Sequence, residues 1–199
     1  MTIPTEDLAL TLHDIGAIQF GRFRLHSGRE SRVYIDLRVL VSYPEALRQA
    51  TAAYQTVLDG LAFDLLAATP MAGLPIGTAI CLAMDRPLIY PRKTAKSYGT
   101  GKHIEGRWSI GQTAVVVDDL ITSGDSLLET SATLKAAGLR VHDAVVLIDR
   151  EQGGRAFLAE QGYRLHAVAT LRGLLDALLD RGRLSRGQYD EVMASIDIQ

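Results

Sequence analysis

The stretch Thr113–Ser126, with the sequence TAVVVDDLITSGDS, decides the fold of this chain. Its first part, Thr113–Val117, is almost entirely apolar, as is typical of a strand that is buried on both faces of a sheet. Two adjacent carboxylates follow, Asp118 and Asp119, and then a short loop of hydroxyl residues and a glycine. A helix-like segment begins at Ser126. A buried strand that leads through such a loop into a helix indicates an α/β sheet, in which ligands bind beyond the carboxyl ends of the strands.

Apolar runs and helix-like segments alternate in the same way on both sides of this stretch. Because the runs are apolar throughout, they predict the strands of a central, mostly parallel sheet flanked by helices. The predicted strands are Phe63–Thr69, Pro87–Pro91, Thr113–Val117, His142–Ile148 and Leu165–Thr170. The predicted helices between them are Gly73–Met84, Ser126–Ala137 and Gly154–Gln161.

The first sixty residues follow a different pattern, which predicts a small N-terminal hood. Thr5–Ile18 and Pro44–Leu58 are predicted helices, and Phe23–Leu25 with Val33–Leu37 predicts a small two-stranded ribbon. Two amphipathic helices are predicted at the end of the chain, at Arg172–Arg183 and Ser185–Ile196. We therefore expect a single domain over 1–199, divided into a hood segment at 1–60, an α/β core at 61–171 and C-terminal helices at 172–199.

Length and composition are those of an ordinary soluble globular protein. The chain has 199 residues, of which 47% are hydrophobic and 22% charged, and its net charge is -2. A slightly negative chain has no broad basic field for nucleic acid or an anionic membrane, so we expect neither as a partner. The one cysteine excludes an internal disulfide, and the first residues lack a signal-peptide pattern, so we expect a cytoplasmic protein.

The loop after the two acids has the chemistry of a phosphate site. Free backbone N–H groups and the positive end of the following helix suit a phosphate monoester, and Thr122, Ser123 and Ser126 add hydroxyl donors. Asp118 and Asp119 would repel that phosphate. They suit a hydroxylated group attached to it, such as a ribose, which they could hold directly or through a divalent cation. The alternative is a surface turn in which the two acids only cap the helix.

The segment Arg92–Arg107 is strongly basic and is predicted to be flexible, because its centre contains Gly99 and Gly101. Its cations are Arg92, Lys93, Lys96, Lys102 and Arg107, against the single acid Glu105. Cations on a flexible loop after a strand can close over a diphosphate and exclude water from it. The alternative is a basic loop that is simply exposed to solvent.

These motifs together resemble a known family. The run 113–126 resembles the signature with which type I phosphoribosyltransferases bind 5-phosphoribosyl 1-diphosphate (PRPP). Four further segments resemble orotate phosphoribosyltransferases in particular: Leu25–Arg29, Tyr34–Arg38, Arg92–Gly99 and Leu147–Gly154. The likeness extends from about residue 10 to about residue 175. It implies the type I phosphoribosyltransferase fold and the transfer of ribose 5-phosphate from PRPP to orotate, which gives orotidine 5′-monophosphate and diphosphate in pyrimidine biosynthesis.

The resemblance also implies roles for individual residues. The implied PRPP contacts are His26, Met71, Ala72, Arg92, Lys93, Lys96, Tyr98, Asp118, Asp119, Leu120, Ile121, Thr122, Ser123, Gly124, Asp125 and Ser126. The implied orotate contacts are Tyr34, Ile35, Thr122 and Arg150. The implied catalytic residues are Lys96, Asp118 and Asp119. Mg²⁺ is the implied cofactor and is held mainly through PRPP, without a metal site of protein ligands. The implied partner is a second copy of the chain, in a homodimer that shares its active sites.

Three positions depart from the family's pattern. His26 stands where a lysine is usual, and Met71 and Ala72 stand where a Tyr-Lys pair is common, so cations that would face the diphosphate are lost or weakened. This leaves open a type I phosphoribosyltransferase for another base, although the segment Asp149–Gly153 favours orotate. It also leaves open a catalytically weak PRPP-binding regulator, although the chain has no residues to spare for a DNA-binding module.

Overall fold

The computed structural model describes residues 4–24, 30–92 and 103–196 of the chain. Within these ranges, the helices are α1 Thr5–Asp14, α2 Pro44–Leu58, α3 Gly73–Met84, α4 Asp125–Ala136, α5 Gly154–Glu160, α6 Leu171–Asp180 and α7 Arg186–Ile196, with a 3-10 helix at Leu37–Ser42. The strands are β1 Ile18–Arg24, β2 Glu30–Ile35, β3 Leu65–Ala68, β4 Leu88–Pro91, β5 Ile104–Glu105, β6 Thr113–Ile121, β7 Arg140–Asp149 and β8 Arg164–Thr170.

Six strands form the main sheet in the order β5-β4-β3-β6-β7-β8. Neighbouring strands are parallel except for β5, which runs antiparallel to β4. Alternate residues of β6 enter two different apolar clusters: Val115 and Val117 pack on the side of α2 and α3, and Ala114 and Val116 on the side of α4 and α5. Helices therefore cover both faces of the sheet. The predicted α/β class, with a mostly parallel sheet, is confirmed.

The central strand β6 is longer than the sequence predicts. The apolar pattern ends at Val117, whereas the strand continues to Ile121. The pairing of β6 with β3 ends where Ala68 lies opposite Val117. The pairing of β6 with β7 continues to Ile121, which lies opposite Asp149. Acidic residues are depleted in strands, and here pairing with β7 outweighs that preference. The predicted end of the strand was therefore wrong, and the two acids that follow Val117 lie on the strand itself.

The N-terminal hood contains α1, the antiparallel pair β1 and β2, and the 3-10 helix. Helix α1 ends at Asp14 rather than at the predicted Ile18, because the main chain turns at Gly16, which adopts φ +75°. Ile18 instead opens β1 and pairs with Ile35. The predicted ribbon is confirmed but begins earlier than Phe23, and residues 25–29 lie outside the described part of the chain.

One apolar cluster joins the hood to the sheet and to the C-terminal helices. Leu12 of α1, Ile35 of β2, Val117 of β6 and Leu178 of α6 all belong to it. Helix α6 begins after Thr170, whose Oγ1 accepts a hydrogen bond from a main-chain N–H of the first turn. The hood thus shares its core with the sheet, which determines where the hood lies relative to the ends of the strands. None of the helices in the described ranges has the length and apolar character needed to cross a membrane.

Candidate active site

Asp118 and Asp119 lie on the last part of β6, which extends beyond the end of β3. Each carboxylate accepts a hydrogen bond from the main chain that follows it: Asp118 Oδ1 from the Asp119 N–H at 2.9 Å, and Asp119 Oδ1 from the Leu120 N–H at 2.8 Å. Asp118 is buried, with 6% of its surface exposed, and Asp119 is half-buried. Both acids are thus held close to the main chain of a buried strand.

Burial raises the pKa of the Asp118 carboxyl well above its ordinary value, and the neighbouring charge of Asp119 raises it further. The hydrogen bond from the Asp119 N–H acts in the opposite direction, and so, to a smaller extent, does the nearby Thr69 hydroxyl. Burial also raises the pKa of Asp119, against which the Leu120 N–H and the positive charge of Arg38 act. Two acids in this state are stabilised by a cation or a hydroxyl donor that approaches them. This electrostatic environment is compatible with the predicted ribose and Mg²⁺ contacts.

The loop after the acids forms a pocket at the beginning of α4. Gly124 adopts φ +95°, and a Cβ there would press on Phe157 and Leu158 of α5. The pocket has a volume of about 180 Å³, and its lining residues are Asp118, Asp119, Leu120, Ile121, Thr122, Ser123, Gly124, Asp125, Ser126 and Leu127. The Ser123 hydroxyl donates to Asp125 Oδ2 at 2.6 Å. The predicted PRPP contacts of this loop therefore line one pocket, while helix α4 begins one residue earlier than predicted.

The Ile121 side chain is the exception within this loop. It is 1% exposed and belongs to the apolar cluster beneath the pocket. Its main chain, rather than its side chain, is therefore available to the pocket.

The segment that follows β7 packs directly against the loop. The Arg150 N–H donates to the Ile121 carbonyl at 3.1 Å, and the Gly154 N–H donates to the Thr122 carbonyl at 3.0 Å. A Cβ at Gly154 would lie 2.5 Å from that carbonyl oxygen, so this close approach requires glycine. The Arg150 side chain is buried. The structure thus joins, through the main chain, the two core segments that contain Thr122 and Arg150, the residues predicted to hold orotate.

The hood contributes a polar cluster near the acids. Arg38 donates to both carboxylate oxygens of Asp36 and, at 3.1 Å, to the Tyr34 hydroxyl. The positive charge of Arg38 partly opposes the rise that burial causes in the pKa of Asp119, so this cluster lies within electrostatic range of that acid. Ile35, by contrast, is buried in the core. Of the two hood residues predicted for orotate, Tyr34 therefore bonds to Arg38, and the Ile35 side chain packs inside.

Met71 and Ala72 lie in the turn between β3 and α3. The Met71 side chain is 72% exposed. Gly73, the next residue, packs against β6, since a Cβ there would lie 2.8 Å from the Val117 carbonyl oxygen. The turn therefore passes close to the main chain of the acids with no side chain between them.

Arg92 follows β4 and borders a second pocket of about 120 Å³ beside the loop. The lining residues of this pocket are Thr69, Pro70, Pro91, Arg92, Ser126, Glu129, Thr130 and Thr133. The Arg92 guanidinium forms an ion pair with Glu105 on β5. Arg92 and Ser126 thus line the same pocket, and the charge of Arg92 is partly neutralised by Glu105.

Four predicted PRPP contacts fall outside the described residues: His26, Lys93, Lys96 and Tyr98. Their roles stay predictions. Within the described ranges, no three His, Cys, Asp or Glu side chains lie together as a site of protein ligands for a metal ion would require.

Three residues near the acids were missed by the sequence reasoning. Thr69 is the last residue of a predicted strand next to the central one, and that position was an available signal. Arg38 ends one of the motifs that carry the family resemblance. Tyr54 lies on α2, and its hydroxyl donates to the Asp118 carbonyl at 2.6 Å. No pattern in the sequence marks that contact.

Comparisons with known proteins agree with this geometry. Residues 44–157 match a family model described as "Phosphoribosyl transferase domain". The orotate phosphoribosyltransferase of Pyrobaculum aerophilum is 38% identical over 183 residues, which cover 92% of this chain and 94% of that protein. The bifunctional enzyme PyrF/PyrE of Nostoc sp. is 43% identical over 186 residues, which cover 94% of this chain and 39% of that protein. The structure of Leishmania donovani UMP synthase has a TM-score of 0.91 at 39% identity, and covers 99% of this chain and 43% of that one.

The chain thus spans about two fifths of the Nostoc and Leishmania proteins and almost the whole of the Pyrobaculum protein. The family model covers more than half of the chain, from α2 through the loop at 122–126 to α5. The matched part includes both acids, the pocket behind them and most of the segment that packs on it. The chain therefore belongs to the phosphoribosyl transferase family, and within it to the orotate phosphoribosyltransferases.

Proposed function

We propose that the chain transfers the 5-phosphoribosyl group of PRPP to orotate, which gives orotidine 5′-monophosphate and diphosphate, a step of pyrimidine biosynthesis. One observation carries the proposal: the segment Asp149–Gly154 bonds through its main chain to the loop that contains Thr122. A donor held by that loop and an acceptor held by that segment would meet. Relatives of matching length carry the name orotate phosphoribosyltransferase, which supports the same acceptor.

The donor phosphate would bind in the pocket at the beginning of α4. The free N–H groups of the first helical turn and the helix dipole favour an anion there. Thr122, Ser123 and Ser126 line the same pocket and supply hydroxyl donors. Asp118 and Asp119, which line the same pocket, would accept hydrogen bonds from the ribose hydroxyls. Phosphate and ribose are thus assigned to one pocket.

Mg²⁺ fits the donor set of this site. The ion prefers oxygen ligands and is commonly bound through one or two carboxylates together with substrate phosphates. Asp118 and Asp119 are neighbouring acids whose pKa values are raised by burial, so a cation beside them would relieve their repulsion. When bound, Mg²⁺ would neutralise charge on the diphosphate and orient it. The protein's own contribution is to hold the two acids in place.

The acceptor would be held by Thr122 and Arg150 from the core, and by Tyr34 and Ile35 from the hood. A guanidinium is a planar fork that matches a carboxylate in two places, which suits the carboxylate of orotate. Because the Ile35 side chain is buried, its contribution would come from the main chain or from its support of Tyr34.

In the reaction, the bond between ribose C1 and a diphosphate oxygen breaks, and a bond forms from C1 to a ring nitrogen of orotate. Positive charge develops on the ribose and negative charge on the departing diphosphate. Lys96 would stabilise the diphosphate together with Arg92, Lys93, Tyr98 and His26, and the two acids would hold the ribose for in-line displacement. Orotate arrives as an anion, so no strong general base is required. Positioning and electrostatic stabilisation would supply most of the rate.

We also infer a homodimer in which Lys96 reaches the active site of the partner. Helices α2 and α3 pack side by side on one face of the sheet and expose several large apolar side chains around them, namely Val41, Tyr43, Met71 and Leu82. Concentrations of exposed apolar surface often mark protein interfaces. Met71 lies in the turn beside the acids, so a partner on this surface would lie next to the site.

The dimer is tested by the molar mass in solution. We expect a dimer mass for the wild type and a monomer mass for Leu82→Lys, whose side chain is 80% exposed. Ile110→Lys is the matched control, since Ile110 is 85% exposed but lies beside Gly138 at the end of α4, on the other face of the sheet. A monomeric wild type, or equal dissociation by both variants, would contradict the inferred interface.

We also propose a cytoplasmic location, which a chain with a single cysteine fits. The net charge of -2 supports the absence of nucleic-acid and membrane partners.

The activity is tested by consumption of orotate with PRPP and Mg²⁺, read from orotate absorbance and from released diphosphate. We expect turnover with orotate, and little with uracil or a purine. Turnover with another base at least as fast as with orotate would overturn the acceptor. Tight binding of PRPP without any turnover would favour the regulator instead.

A further inference from the structure

A buried tyrosine of helix α2, Tyr54, forms a hydrogen bond with the main chain at Asp118. Tyr54 is the largest of the fully buried side chains in the described ranges, and its exposed fraction is 0%. Its hydroxyl donates to the Asp118 carbonyl at 2.6 Å, across a sequence separation of 64 residues. The rest of its helix packs on the sheet through apolar side chains such as Ala50 and Leu58.

The hydroxyl is well placed to stay a donor. Burial raises the pKa of Tyr54 well above its ordinary value, and the charges of Asp119 and Asp118 raise it further. The main-chain N–H of Leu147, on β7, acts on the same oxygen in the opposite direction. The Tyr54 hydroxyl, which bonds to the main chain of β6 at the level of the acids, therefore keeps its proton at physiological pH.

The bond acts on one particular peptide group, the one that joins Asp118 to Asp119. Its carbonyl accepts from Tyr54, and its N–H donates to Asp118 Oδ1 at 2.9 Å. The orientation of this peptide plane therefore determines where the Asp118 carboxylate lies. β3 ends at Ala68, opposite Val117, so at this level β6 is paired on one side only, with β7. On this peptide group, the Tyr54 hydroxyl and the Asp118 carboxylate add two further hydrogen bonds.

We propose that Tyr54 is a positioning residue, which holds the Asp118–Asp119 peptide in the orientation that aims the Asp118 carboxylate at the ribose of PRPP. This role presupposes the proposed binding of PRPP. Without the hydroxyl, the carbonyl loses a buried donor and the plane is held less firmly, so the carboxylate would meet the ribose hydroxyls less well. The binding of orotate, which lies on the side of Arg150, should change much less.

The test is the Tyr54→Phe variant, which removes the hydroxyl and keeps the ring. We expect PRPP affinity, measured by calorimetry with Mg²⁺, and kcat/KM for PRPP to fall by about three- to tenfold, the usual range for one lost hydrogen bond. The KM for orotate should stay within about twofold of the wild type, a split that a general loss of stability would not produce.

Two control variants separate positioning from stability. Leu58→Val lies one turn further along the same helix and removes a buried methylene group, so it lowers stability without reaching the acids. Tyr163→Phe removes the hydroxyl of another buried tyrosine, located before β8 at the opposite end of the sheet. Both should keep wild-type affinity for PRPP at temperatures well below their melting points.

If Tyr54→Phe does not fold, Tyr54→Met replaces it, since methionine is flexible enough to fill irregular space in a core. The same selective loss of PRPP affinity is expected. Wild-type affinity for PRPP in a folded variant without the hydroxyl would overturn the positioning role, and so would an equal loss in Leu58→Val. Failure of PRPP to bind the wild type would instead contradict the proposed function, which keeps the two outcomes distinguishable.

Discussion

Replacing Asp118 with asparagine should stabilise the ligand-free protein, by an amount that grows with pH. Burial and the charge of Asp119 raise the pKa of this carboxyl well above its ordinary value of 3.8. At pH values between 3.8 and the raised pKa of the folded protein, the folded state keeps a proton that the unfolded chain has released. The stability due to this proton is fully present below 3.8 and is lost as the pH rises through the folded pKa. Asparagine carries no such proton, so Asp118→Asn avoids the loss.

The size of the effect follows from proton linkage. Within that window, the wild type loses at most about 1.4 kcal/mol of unfolding free energy per pH unit. For a chain of this length, each kcal/mol changes the melting temperature by about 2–4 °C. The melting temperatures of the wild type and Asp118→Asn should therefore diverge by up to about 3–6 °C per pH unit.

Calorimetric unfolding between pH 4 and 8, without PRPP or Mg²⁺, measures this divergence. Asp59→Asn, at an exposed position at the end of α2, is the control and should follow the wild type. With saturating PRPP and Mg²⁺, the wild type should instead have the higher melting temperature. A ligand that binds only the folded state stabilises that state by mass action, and Asp118→Asn should bind PRPP poorly. Parallel curves for the wild type and Asp118→Asn across the whole pH range would refute the reasoning.

Three further changes test other parts of the site. Arg150→Ala should raise the KM for orotate by about tenfold or more, because a charge-assisted bond is lost, and should leave the binding of PRPP nearly intact; equal effects on both substrates would contradict its role. Gly154→Ala should cost about 1–3 kcal/mol and weaken PRPP binding, since its Cβ would press on the loop carbonyl. Gly187→Ala, with open space around it, is the control, and equal melting temperatures for the two would argue against a tight contact. A mixture of Lys96→Ala and Asp119→Asn chains should recover activity if the dimer shares its sites, and no recovery after verified subunit exchange would mean that each loop serves its own chain.

The strands of the core could be predicted because they are buried on both faces. The apolar runs around Leu66, Ile89, Val115, Val146 and Leu165 all became strands, since a run without polar residues has few alternatives in a globular protein. The extension of β6 to Ile121 could not be predicted, because it depends on pairing with β7, and that pairing outweighs the local preference of two acids. Strand β5, Ile104–Glu105, is too short to produce any periodic pattern.

The candidate site was predictable where it is local in the sequence. The pocket from Asp118 to Ser126 follows from one strand, one loop and one helix that are contiguous in the chain. The proximity of the segment after β7 to the loop that contains Thr122 was implied only by family resemblance, because periodicity gives no distance between separate segments. The Tyr54 hydroxyl could not be anticipated at all, since a tyrosine in an apolar helix face is ordinarily a packing residue.

The close contact at Gly154, between the turn after β7 and the loop before α4, affects how this site could be redesigned. At Gly154 a methyl group would lie 2.5 Å from the Thr122 carbonyl oxygen and would not fit, and at Gly124 it would press on the Phe157 side chain at 3.2 Å. A laboratory that wished to give the chain a different acceptor base would therefore gain little from single substitutions at this junction, since each would displace the donor loop as well. Such a redesign should instead replace the whole turn from β7 to α5 together with the loop before α4. Both segments would then come from the same protein, and their backbones would already fit each other.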